Sequence, residues 1–146
     1  MTIDYADLDY QSIKNTNIGK GFELLKSNAL KNAILTLEDG TREYSTSYEA
    51  FEYLGIAYLM SGHFNRAIGA LTKACEIKPA SATAHYNLAI AYENAKVYND
   101  ALTHFTTAAE LNPTHTLAQD KIIEIAQIIP ETKKGRIRLL KGKGEG

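Results

Sequence analysis

The stretch Tyr48–Pro79, YEAFEYLGIAYLMSGHFNRAIGALTKACEIKP, decides the fold. Within its first half, Phe51, Leu54 and Tyr58 step by three and four, which lines one face of a helix. Gly62 is placed to end that helix, since glycine tolerates positive φ. Ala67, Leu71, Ala74 and Cys75 step the same way and predict a second helix, closed by Pro79. The small residues at 55, 67 and 74 belong where two helices cross closely. A large side chain there is expected to cost roughly 1–3 kcal/mol by overpacking.

The pattern recurs. Thirty-four residues on, Leu88, Ala89, Tyr92, Ala101, Phe105, Ala108 and Pro113 fall on the same template, with Lys96 in place of Gly62. Thirty-four residues back stand Gly21, Leu24, Ala33 and Leu37. A fixed period of this size marks a stacked array in which each helical hairpin buries its face on its neighbours. These residues resemble the tetratricopeptide repeat (TPR) family: a small residue and an aromatic in the first helix, Ala–large–Ala in the second, and a closing Pro. The resemblance implies an all-α, right-handed superhelix of helix-turn-helix repeats. The first copy departs from the pattern at Asn17, Lys20 and Ser45, as end repeats often do.

The expected organisation is an acidic lead-in over 1–13, a repeat domain over 14–130 and a basic tail over 131–146. Repeats are placed at about 14–47, 48–81 and 82–115, with a capping helix over 115–129. Asn15 or Thr16 is expected to cap the first helix, and Thr46 with Glu49 matches a capping box. The closing helix is rich in isoleucine, and Ile123, Ile125 and Ile128 form a possible oligomer interface. The tail carries net charge +4 against −5 for the rest of the chain, which prompts tail–body or tail–partner attraction.

With 45% hydrophobic and 23% charged residues the composition is that of an ordinary soluble domain. The start MTIDYADLDY lacks an apolar stretch, so no secretory signal is expected and a cytoplasmic location is. Cys75 reads as a buried structural thiol. No catalytic motif, phosphate loop or metal-ligand spacing occurs among His63, His85, His104, His115 and Cys75, so neither an enzyme nor a cofactor or metal is expected.

What remains is a groove. The resemblance implies that the first helices line the concave face and that Asn87 matches a family position whose amide bonds a bound peptide's backbone. The expected peptide-binding residues are Phe22, Tyr53, Ile56, Met60, Tyr86, Asn87, Ile90 and Lys121, an apolar and aromatic lining with Lys121 as its cation. The competing reading puts the same stripe in inter-repeat core. The expected function is a non-enzymatic adaptor holding a peptide or helix of a partner protein. The alternatives are a homodimeric scaffold joined through the isoleucine-rich helix, a holder of hydrophobic segments, or RNA binding through the basic tail.

Overall fold

The computed structural model describes residues 2–4 and 13–129. Most of the acidic lead-in, Pro130 and the whole basic tail lie outside the described residues. Seven helices stand among those described: α1 Asn17–Lys26, α2 Leu30–Glu43, α3 Tyr48–Met60, α4 Phe64–Ile77, α5 Ala82–Asn94, α6 Tyr98–Leu111 and α7 Thr116–Ala126. No strand is present among the described residues. The fold is an all-α helical repeat. Its period holds to the residue: α3, α5 and α7 begin at 48, 82 and 116, and α2, α4 and α6 at 30, 64 and 98.

The caps explain this regularity. Each first helix starts behind a side chain that accepts a free backbone N–H, which would otherwise be unpaired. Thr16 takes Ile18 and Gly19, Ser47 takes Ala50, Ser81 takes Ala84, and the Nδ1 of His115 takes Ala118. Thr16 is thus the cap of α1. The capping box expected at Thr46 is corrected: Ser47 is the cap, and its hydroxyl also reaches Glu49 at 3.4 Å. One residue's shift puts the hydroxyl within reach of the helix N–H groups. The second helices have no side-chain cap. Each instead follows a residue with left-handed backbone: Asn28 at φ 62°, Gly62 at 77° and Lys96 at 63°. The position that lacks an echo in sequence therefore has one in conformation.

Within a repeat the two helices close on a small residue. A Cβ on Gly21 would run into Leu37, and one on Gly55 into Leu71. In the third repeat Ala89 and Phe105 take these places, both fully buried. Between repeats, α1 packs on α3 and α3 on α5, while the second helices have no comparable contact with one another. The first helices therefore form the inner layer of the curve. The Tyr58 hydroxyl ties repeats two and one by donating to Glu38 at 2.6 Å.

The closing helix is shorter than expected, Thr116–Ala126 against 115–129. Ile125 and Ile129 are buried and Ile122 is half-buried, whereas Ile123 and Ile128 are 43% and 55% exposed. Ile125 thus belongs to the core and is removed from the expected oligomer interface, because residues 122, 125 and 129 share the helical face turned to α6.

Candidate functional site: the inner face of α5 and the start of α7

The inner face differs from an open trough. Tyr53, Ile56, Tyr86 and Asn87 are completely buried and Ile90 nearly so. Neighbouring first helices supply part of this burial, and chain lying on the face supplies the rest. Phe22 of α1 stacks on Tyr53 of α3 with ring centroids 4.6 Å apart. The Asn87 amide donates across to Glu52, itself fully buried. Tyr86 packs on Phe105 and on the His115 ring, at 5.6 and 5.0 Å. These side chains are the floor of the inner face, not its exposed lining. Met60, at the end of α3, is 38% exposed. Lys121 is not a free cation: it pairs with Glu93 at 2.9 Å and Glu124 at 3.2 Å. Burial pulls its pKa down, but the two carboxylates outweigh that and leave it raised.

On this floor lies a piece of the chain itself. The backbone N–H of Asp4 donates to Asn87 Oδ1 at 3.1 Å, and Asn87 Nδ2 donates to the Asp4 carbonyl at 2.9 Å. One carboxamide thereby satisfies both main-chain groups of one residue, which only an extended segment can offer side by side. The Asp4 carboxylate is held separately. Its Oδ2 accepts from the Thr83 hydroxyl at 3.0 Å and from His115 Nε2 at 2.9 Å. Thr83 and Asn87 stand one helical turn apart on α5, so both face the segment.

The tautomer of His115 follows from its two bonds. Nδ1 accepts the Ala118 N–H at 3.2 Å, so the proton sits on Nε2, which donates to Asp4. One ring therefore both caps α7 and reads the carboxylate. Ile3 packs half-buried beside the core. The Tyr86 hydroxyl is buried with no hydrogen-bond partner among the described residues. Its pKa is pushed up to about 12 by burial, against the pull of Lys121 and with the push of Glu93 and Asp4.

Sequence reasoning placed Asn87 on this face. It missed His115, which it weighed only as a metal ligand, and Asp4, which lies 83 residues from Asn87 and 111 from His115. His85 stacks on His104 at 5.4 Å, inside repeat three. No group of three His, Cys, Asp or Glu side chains among the described residues is placed to hold a metal ion. Burial pushes the Cys75 thiol up to about 12, with Glu52 and Glu76 adding to it, so it stays protonated at neutral pH. No helix among the described residues is long and apolar enough to cross a membrane.

Two family models match the chain: one described as TPR repeat over residues 55–95, and one described as Tetratricopeptide repeat over residues 82–115. No curated protein matches the chain by sequence. Solved structures do match in shape. The Arabidopsis OM64 TPR domain is 19% identical, with a TM-score of 0.75 over 83% of this chain and 100% of that one. The first TPR of Spaghetti (RPAP3), bound to the HSP90 peptide SRMEEVD, is 18% identical, with a TM-score of 0.75 over 84% and 97%. The Yersinia enterocolitica type III secretion translocator chaperone SycD, in an alternative dimer, is 14% identical, with a TM-score of 0.70 over 75% and 88%. At these identities the likeness is one of fold.

Proposed function

Because this chain belongs to the tetratricopeptide repeat family, we propose that it is a protein-interaction adaptor whose inner face holds an extended segment of a partner protein and which catalyses no reaction. One observation carries this reading: Asn87 already holds the two main-chain groups of Asp4, so the face accepts a peptide backbone. Similar structures hold peptides as well, SRMEEVD of HSP90 and SGPTIEEVD of HSP70. Lys121 is engaged by Glu93 here, which argues against a strongly cationic clamp and for recognition by neutral donors.

The buried rings are poor targets for a test, since truncating Tyr53 or Tyr86 would open the core at a cost of about 3–5 kcal/mol. The better variant is Asn87→Ala combined with Thr83→Val, with folding checked by circular dichroism. Partners captured by the native chain from its own cell extract should be lost with this variant. Equal capture by both chains would refute the reading.

A second reading rests on Ile123 and Ile128, which stay exposed at the end of the array with Leu117 and Leu111. This apolar end suits self-association in a closed two-fold pair. Light scattering over a dilution series should show a dimer that Ile123→Glu with Ile128→Glu dissociates. A monomer at all concentrations removes this reading.

A further inference from the structure

We propose that the inner face of α5 is an aspartate-reading main-chain clamp, that residues 2–4 occupy it as an internal stand-in, and that a partner segment carrying an aspartate enters by displacing them. The proposal rests on the adaptor reading above and adds the chemistry of the ligand and what stands in its way.

The residue in the clamp shows what the clamp accepts. Asn87 fixes the backbone and is indifferent to side chain, so it sets register and direction without selecting sequence. Selection comes from Thr83 and His115. Both donate to the same carboxylate oxygen, from two different elements, at 3.0 and 2.9 Å. His115 has its other nitrogen committed to the Ala118 N–H, so Nε2 always presents a proton. A ligand with an apolar group here would leave two donors on a largely buried site unpaired, the asymmetry that gives polar sites their discrimination, whereas an amide oxygen could accept from both and would lack only the carboxylate's charge. The carboxyl side chain of Asp4 is 17% exposed and the His115 ring 8%, so water replaces neither partner easily. The preceding Ile3 packs against the core edge, which favours an aliphatic residue before the aspartate.

The stand-in lowers apparent affinity for any ligand in trans. A segment tethered to its own site acts at high effective concentration, and the apparent Kd rises by the inverse of the fraction of chains with an open site. Loss of the Asp4 carboxylate should free the site while leaving α5 folded, at the cost of a looser first turn of α7, whose cap His115 loses its acceptor.

The test uses the full chain and the peptide MTIDYADLDY labelled with a fluorophore, followed by anisotropy. The peptide should bind the Asp4→Ala chain at least about tenfold more tightly than the native chain. A peptide with the fourth residue changed, Asp4→Leu, keeps Asp7 and Asp9 but offers no acceptor at that place and should lose that binding. Thr83→Val, near-isosteric and introduced into the Asp4→Ala chain, should weaken the native peptide more than the leucine peptide. Equal affinity of the native and Asp4→Ala chains overturns the internal stand-in, and equal affinity of the two peptides overturns the aspartate readout. In either case the adaptor reading survives if Asn87→Ala still abolishes binding. Binding that neither Asn87→Ala nor Thr83→Val changes overturns both. No peptide binding to a folded Asp4→Ala chain overturns the clamp, as does light scattering that shows the native chain to be a dimer which Asp4→Ala dissociates, since the segment would then sit on a second copy.

Discussion

At the scale of single residues, backbone conformation and protonation both leave measurable traces. Lys96 holds φ at 63° where the equivalent turn of repeat two has Gly62. A side chain in the left-handed region costs roughly 1–2 kcal/mol, offset in part by the extra chain entropy a glycine loses on folding. Lys96→Gly should therefore stabilise the chain by about 0.5–1 kcal/mol in urea denaturation; a lower midpoint would mean that the lysine makes a contact worth more than the strain. The His85–His104 pair makes a pH prediction. His85 Nε2 faces the Pro79 carbonyl at 2.9 Å and so carries its proton, leaving Nδ1 to accept from His104 Nδ1 at 3.1 Å. Burial, and then the neighbouring His85, lower the His104 pKa below 6.5. Below pH 6.5 the unfolded chain takes up a proton on this residue that the folded chain refuses, so stability falls as the medium becomes acid. The urea midpoint should drop between about pH 7.5 and about pH 5.5, and His104→Gln should flatten that slope. An identical slope in the variant would assign the loss to other groups.

At the scale of elements, the close crossing of paired helices is the feature that the periodicity encodes. Gly55→Ala would drive a methyl group into Leu71 and should cost about 1–3 kcal/mol, read as a lowered thermal midpoint. The loss in the chain carrying both Gly55→Ala and Leu71→Ala should be smaller than the sum of the two single losses, which a purely conformational effect of the glycine would not allow. Such small–large pairs made the helices legible in the sequence, because each residue of the pattern meets a partner in its own repeat or the next. The caps were legible to within one residue, as Thr46 against Ser47 shows. Burial was less so. Tyr53, Ile56, Tyr86 and Ile90 look identical in sequence whether they line an open groove or are sealed, and the spacing of the first helices together with the segment that lies on them decides it. Ile125 was misassigned for the same reason: an isoleucine run names an apolar helix but not which of its faces is turned inward.

At the scale of the whole molecule, a stacked array is held by contacts between neighbours, so that stability is close to a sum over adjacent hairpins and the ends fray first. The segment at residues 2–4 breaks that rule. It spans 83 positions to reach Asn87 and 111 to reach His115, tying residues 2–4 to the start of α7. No periodic signal announces such a contact, which is why half of the candidate site was invisible in the sequence: Thr83 and Asn87 sit in the repeat, whereas Asp4 lies outside it and His115 has its role only when Asp4 arrives. The tie has a consequence for stability as well as for binding. Among the described residues α7 leans on one hairpin, and its cap, His115, is oriented by Asp4. Asp4→Ala removes the acceptor of His115 Nε2 and should loosen the start of α7, speeding amide exchange there by about five- to tenfold, the equivalent of roughly 1–1.4 kcal/mol. Exchange in α3, flanked by repeats on both sides, should not change. Protection of α7 equal in both chains would show that residues 2–4 rest on the array without holding it.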